Sequence, residues 1–289
     1  MDRDAVLIAG GGTGGHIYPG LALADELRRR RPGLPVLFIG NRNGLESRLV
    51  PAAGYRLHLV PGGGISGKRW PVRMGHALQV PLGLLKSGWH VIRDRAQVVV
   101  GAGGYASGPA VLAGRLLGRA TLIMEQNALP GATNRILAPL VDQVAVAFAA
   151  TAGRLKGRIQ VTGNPVRSGL VRLACRRDPA PCLLIFGGSR GARGLNGAIM
   201  DILPGLVQAR PNLRILHQTG PADLKGVKAV YEASGLAATV VPYIDDMAAA
   251  YAAAHLVICR AGATSVAELT AVGRPAILIP LPRSVGGHQ

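Results

Sequence analysis

The chain has 289 residues, 48% hydrophobic and 17% charged, with a net charge of +18; it is long enough for one large or two smaller α/β domains and too apolar to be disordered. No apolar run reaches the ~20 residues of a membrane-spanning helix, and the charged start Met1-Asp2-Arg3-Asp4 is no signal peptide. Cys175, Cys182 and Cys259 have neither Cys-x-x-Cys nor metal-ligand spacing, so a cytosolic chain with reduced thiols is expected.

The charge is uneven. Residues 1–162 carry 20 Lys and Arg against 8 Asp and Glu (+12), and residues 163–289 carry 13 against 7 (+6). A basic surface attracts nucleic acid, anionic lipid or phosphorylated substrates. Nucleic acid is disfavoured, because aromatic residues, the usual stacking platforms, make up only 4%.

In chain order, the apolar run Val6-Leu7-Ile8-Ala9 leads into Gly11-Gly12-Thr13-Gly14-Gly15-His16 and a helix-like stretch. Buried strands are predicted over 36–39, 98–100, 121–124 and 144–147. Between the first two of these, Met74, Leu78, Leu82, Leu85 and Trp89 recur at helical spacing among Lys68, Arg69, Trp70, Arg73, Lys86, Arg93 and Arg95, with Pro81 breaking or restarting the helix. By default such a stripe is core; with its flanking cations and tryptophan it suits an interfacial helix on an anionic bilayer. Gly163-Asn164-Pro165 closes the series and marks a domain boundary, giving domains 1–162 and 163–289.

The second half repeats the opening. Leu183-Leu184-Ile185-Phe186 leads into Gly187-Gly188-Ser189-Arg190-Gly191-Ala192, followed by strands over 215–217, 239–241, 256–259 and 276–279. Strands alternating with helices predict parallel sheets, hence two Rossmann-like doubly wound domains facing a cleft, with ligands at the carboxyl ends of the strands. Gly10, Gly12 and Gly15 satisfy G-x-G-x-x-G, but strand 36–39 ends in Gly40-Asn41 without the acid a dinucleotide site needs. Both loops instead offer amides at a helix N-terminus to a phosphate or diphosphate. Tight turns without a ligand would explain one such loop better than a matched, glycine-rich pair, whose backbone entropy is costly.

The ordered set Gly11 to His16 with Tyr18-Pro19-Gly20, Gly103-Gly104-Tyr105 with Ser107-Gly108-Pro109, Glu125-Gln126-Asn127, Gly163 to Arg167, Gly187-Gly188-Ser189 with Gly191-Ala192, Ile244 to Met247, and Arg260 to Ala263 leading to Glu268 resembles the MurG family of peptidoglycan glycosyltransferases. The resemblance runs over essentially the whole chain. It implies a GT-B fold and inverting transfer of N-acetylglucosamine from UDP-GlcNAc to the 4-hydroxyl of the muramoyl sugar of lipid I, forming lipid II at the cytoplasmic face of the bacterial membrane. The protein would be peripheral there, with no required cofactor or metal; the only Asp-x-Asp, Asp2-Arg3-Asp4, precedes the first strand. A glycolipid synthase or UDP-sugar epimerase of the same fold would lack the Gly-Gly-Tyr and Glu-Gln-Asn elements.

The resemblance also distributes roles. Donor contacts fall to Thr13, Gly14, Gly15 and Asn127 in the first half, and to Arg167, Gly188, Ser189, Gly191, Ile244, Ala263, Thr264, Ser265, Val266, Ala267, Glu268 and Gln289 in the second. Glu268 would hold the ribose hydroxyls; otherwise it is a solvated helix residue. Acceptor contacts fall to Gly11, Gly12, Gly14, Gly15, His16, Tyr105 and Asn134. His16 is either the general base or a phosphate-binding or helix-capping residue, and Glu125 is a rival base. Two positions depart from the family's usual pattern: Met124, where His is common, and Arg190, where Gln or Leu is common. The resemblance expects further elements beyond Gln289, so the chain reads as truncated and of low activity.

Overall fold

In the computed structural model, which describes residues 4–61, 79–171, 181–189 and 191–282, β1 (Ala5–Gly10) is buried along its whole length. Its side chains alternate between faces, as strand geometry requires. Leu7 and Ala9 enter one core, while Val6 and Ile8 enter the core on the other face. A strand covered on both sides has to be apolar at every position, which is why Ala5 to Ala9 shows no polar alternation.

The first sheet contains β1, β2 (Val36–Gly40), β3 (Arg56–Leu59), β4 (Ala96–Gly103), β5 (Ala120–Glu125), β6 (Gln143–Val146) and β7 (Ile159–Val161). Their order is β3-β2-β1-β4-β5-β6-β7, and neighbours run parallel. The crossovers carry α1 (Gly14–Arg30), α2 (Glu46–Ala52), α3 (Val80–Arg93), α4 (Ser107–Leu116), α5 (Ala132–Leu137) and α6 (Ala149–Ala152). Pro81 stands in the first turn of α3, where its missing N–H costs nothing. It starts this helix rather than interrupting it.

The described residues part into two compact units between Arg167 and Ser168. The second begins with α7 (Ser168–Val171) and contains β8 (Cys182–Phe186), α8 (Arg193–Ala209), β9 (Arg214–Gln218), α9 (Leu224–Ser234), β10 (Ala238–Val241), α10 (Met247–Ala253), β11 (Leu256–Arg260), α11 (Ala263–Val272) and β12 (Ala276–Ile279). Its parallel strand order is β10-β9-β8-β11-β12. Leu184 and Phe186 face one core and Leu183 and Ile185 the other. Each sheet reverses its strand order next to its first strand, at β1/β4 and at β8/β11. In a sheet of this kind the switch point leaves a crevice beyond the carboxyl ends of its own strands, and each unit's glycine loop follows the first strand of its own sheet.

Candidate functional site

In the first unit, the loop after β1 is held by a carboxylate that the sequence did not suggest. Glu46, 1% exposed, accepts the Gly12 amide at 2.9 Å and the Asn41 amide at 2.8 Å. In this structure the Gly12 amide therefore serves Glu46. Gly12 has φ +88°, a conformation glycine adopts without strain. Thr13 is the extended N-cap of α1 but supplies no side-chain cap, so Thr13, Gly14 and Gly15 present the helix end itself.

His16 lies in the first turn of α1 with its Nδ1 buried and without a hydrogen-bond partner. Behind the ring stands Gly103 at φ +100°; a Cβ there would run into His16 Nδ1. Gly104 likewise packs on the Gly11 carbonyl, so the Gly-Gly pair is what lets the ends of β1 and β4 close on each other. Burial lowers the His16 pKa below the ordinary imidazole value, against the opposing pull of Glu125, the Gln126 side chain, the Ala102 backbone and Glu46. The neutral ring is therefore the form present at pH 7.

Tyr105 donates its hydroxyl to the Pro61 carbonyl at 2.9 Å and receives Asn41 Nδ2 at 3.4 Å. Glu125, at the end of β5, is buried and accepts hydrogen bonds from the Asn127 amide and Nδ2, the Gly131 amide and Asn134 Nδ2 at 2.9 to 3.2 Å. That arrangement is a loop anchor, with Asn127 and Asn134 as its donors. Gln126 donates to the Ala102 carbonyl at 2.9 Å, and Met124 is buried in the core. Next to this group is a cavity of ≈ 210 Å³ lined by Leu23, Leu122, Met124, Glu125, Gln126, Ala145 and residues 162–165. Both polar side-chain atoms of Asn164 are buried there without partners. Arg167 sets its guanidinium 4.3 Å from the centre of the Tyr18 ring.

The second unit builds its loop differently. Gly188, at φ +91°, accepts Gln218 Nε2 at 2.7 Å and the Gly191 amide at 2.9 Å. Gly191, at φ +77°, packs on the Thr219 carbonyl so closely that a Cβ would collide with it. Ser189 is half-buried in this turn, and Ala192, the N-cap of α8, has no side chain able to cap it. Across the switch point, Gly262 is the N-cap of α11, also without a side-chain cap, and Ala263, Thr264, Ser265, Val266 and Ala267 are half-buried along its first turns. Glu268 is 4% exposed and accepts the Tyr251 hydroxyl at 3.2 Å; it is not a solvated helix residue. Ile244 is a core side chain beside Met247 and Tyr251. Gln289 and Arg190 lie outside the described residues.

Residues Leu82, Leu85 and Trp89 of α3 are 54%, 70% and 54% exposed, and Ile92 extends the stripe. This stripe is therefore surface and not core. Arg93 stacks on Trp89 at 4.8 Å. Met74 and Leu78 lie outside the described residues, and among those described no helix is long and apolar enough to cross a membrane.

Glu46, Asn41 and Tyr251 were not foreseen as site residues, and Gln126 and Asn164 stood in the sequence motifs without a role of their own. Glu46 had a signal: an acid in the first turn of a helix only five residues beyond Asn41, where an anchor for the glycine loop is within reach.

Comparison with known proteins decides the family. Residues 6–146 match the glycosyltransferase family 28 N-terminal domain, and residues 182–289 match the family 28 C-terminal domain. The UDP-N-acetylglucosamine--N-acetylmuramyl-(pentapeptide) pyrophosphoryl-undecaprenol N-acetylglucosamine transferase of Syntrophus aciditrophicus is 48% identical over 98% of this chain and 80% of its own length. The chain belongs to the MurG branch of glycosyltransferase family 28. The enzyme of the same name from Myxococcus xanthus is 46% identical over 98% of this chain and 75% of its own. The crystal structure of MurG from Acinetobacter baumannii superposes with a TM-score of 0.71 at 33% identity, covering 99% of this chain and 80% of that one. A UDP-GlcNAc 2-epimerase from Neisseria meningitidis shares the GT-B fold alone, at TM-score 0.66 and 11% identity over 95% of this chain and 82% of its own.

Proposed function

We propose that this family 28 enzyme transfers N-acetylglucosamine from UDP-GlcNAc to the 4-hydroxyl of the muramoyl sugar of lipid I, an undecaprenyl-diphosphate-linked muramoyl-pentapeptide, giving lipid II. The observation that carries the reading is the 48% identity, over nearly the whole chain, to a relative named for that transfer. The two glycine loops at the switch points supply the chemistry it needs.

In the proposed reaction, His16 takes the proton of the 4-hydroxyl as the oxygen attacks the anomeric carbon. The bond from that carbon to the UDP oxygen breaks, UDP leaves with the electron pair, and a single displacement inverts the anomeric centre. The amides at the start of α8, with Ser189, receive the charge growing on the diphosphate, a duty that needs no metal in this scheme. Gly14 and Gly15, at the start of α1, hold the acceptor's diphosphate. Burial supports His16 as the base, since a ring kept neutral at pH 7 accepts a proton but offers no charge to a phosphate. Glu125 is assigned to anchoring Asn127 and Asn134. Glu268, buried within α11, binds the ribose, with Ile244 and residues 263–267 walling the nucleotide. In this reading the enzyme works as a peripheral protein at the cytoplasmic face of an anionic membrane, and the exposed α3 stripe with its cations supports that reading.

Calorimetric titration with UDP-GlcNAc, beside UDP-glucose and NAD, tests the donor site. UDP-GlcNAc binds preferentially, and Glu268→Ala weakens it by about 1–3 kcal/mol. Equal binding of UDP-GlcNAc by wild type and variant removes Glu268 from the site, and binding of NAD alone contradicts the transferase reading.

A further inference from the structure

We propose that His58, His90 and Asp94 form a binding site for one divalent transition-metal ion of the zinc class, apart from the glycine loops. Two imidazoles and a carboxylate are a donor set that Zn²⁺ accepts, with a fourth position left to water. The three side chains come from the end of β3, the last turn of α3 and its C-cap, and each is about nine-tenths buried. His58 Nε2 lies 2.7 Å and His90 Nδ1 3.9 Å from Asp94 Oδ2, and the three ligand atoms fall within 4.8 Å of one another. Tetrahedral bonds of about 2.0–2.1 Å put ligand atoms roughly 3.3 Å apart, so the two measured separations bracket the required one.

A buried His–Asp ion pair with a second histidine stacked on it is the competing explanation. It leaves a cost unanswered: His58 Nε2 and Asp94 Oδ2 meet at 2.7 Å, but buried His90 Nδ1, 3.9 Å from that oxygen, makes no hydrogen bond, and such a group is expensive to leave unmade. One ion would engage all three. The two rings stack at 3.9 Å and 20°, so one must turn out of the stack to aim its lone pair at the ion. Trp89 meets His90 edge-on at 4.8 Å, and its fluorescence would register that turn. An open cavity lined by Leu59, Leu85, Lys86, Trp89 and His90 gives a route in. Arg56, Lys86 and Arg93 act electrostatically on these histidines and oppose a dication, which makes the Asp94 carboxylate indispensable. A bound ion would clamp β3 to the end of α3, the helix that carries the exposed Leu85 and Trp89.

The test uses untagged, chelator-stripped protein titrated with Co²⁺, a spectroscopic stand-in for Zn²⁺, and then with Zn²⁺ in competition. The expected result is one ion per chain, the intense visible bands of low-coordinate Co²⁺ displaced by Zn²⁺, a change in tryptophan emission, and shifted imidazole NMR signals of His58 and His90. Asp94→Asn and His90→Gln should each weaken binding by at least about tenfold, the size of effect seen even for residues one layer behind a metal. Failure of the wild-type protein to bind one equivalent overturns the proposal. So does undiminished binding in a folded His58→Gln/Asp94→Asn double variant. If the variants do not fold, the wild-type spectra decide: unshifted His58 and His90 signals in the presence of bound metal overturn it.

Discussion

Glu125→Ala should unfold the first unit at a markedly lower temperature, whatever it does to turnover. The carboxylate accepts from two backbone amides, of Asn127 and Gly131, and from the side-chain amides of Asn127 and Asn134. The backbone donors cannot turn away, and an unmet buried donor costs about 1–3 kcal/mol; the asparagines can partly reorient. The sum is about 3–5 kcal/mol, or roughly 6–20 °C in Tm at the 2–4 °C per kcal/mol typical of a domain this size. Glu125→Gln keeps one acceptor oxygen but turns an NH₂ group toward donors, so it falls between wild type and Glu125→Ala. Differential scanning calorimetry measures the shift, and steady-state assay reads kcat beside it. A Glu125→Gln protein with wild-type Tm and kcat reduced a hundredfold or more would refute the anchoring role and make Glu125 the base.

Replacing His16 with Ala lowers kcat by about 10²–10⁴ while UDP-GlcNAc affinity, read by calorimetry, changes little; an unchanged kcat removes His16 as base. Stability of the second unit falls on acidification. His217, buried between Tyr231 and Asn196, has its pKa pushed down to about 4 by burial. The unfolded chain therefore takes up the proton near the ordinary value of 6.5 while the folded chain does not. Stability is full above pH 6.5 and declines toward pH 4 by up to about 3 kcal/mol. Urea melts across that window measure it, and a His217→Asn variant with an undiminished pH slope argues against this source. Leu85→Glu with Trp89→Ala leaves Tm nearly unchanged, because both side chains are over half exposed, but abolishes sedimentation with phosphatidylglycerol vesicles. Retained sedimentation moves the membrane face elsewhere.

The alternation of apolar strands with helix-like stretches was enough to place β1, β2, β4, β5, β6 and all five strands of the second sheet. What it missed were β3 and β7, at the edges of the first sheet. There one side faces solvent, and Arg56, His58 and Gln160 break the apolar run that marks a central strand. The α3 stripe was legible as a helix period. Its start was not, because Pro81 fits a first turn as well as a break. At the site, the glycine loops could be read because glycine is demanded locally, by φ and by close backbone approach. The Glu125 anchor could not, and Glu46 showed only as an acid close to Asn41, since their partners are brought together by chain folding: Glu46 reaches Gly12 from 34 residues away. Glu268 was legible as an acid in an apolar helix, though the Tyr251 hydroxyl that meets it comes from another element.

The measurement that bears most directly on the central claim is transfer itself. Incubation with UDP-GlcNAc radiolabelled in the sugar and a soluble-chain lipid I analogue should yield one labelled disaccharide product per UDP released, with a new β linkage to the 4-hydroxyl, and none from UDP-glucose. UDP-GlcNAc that binds but is epimerised, or is hydrolysed without transfer to the muramoyl sugar, would contradict the account.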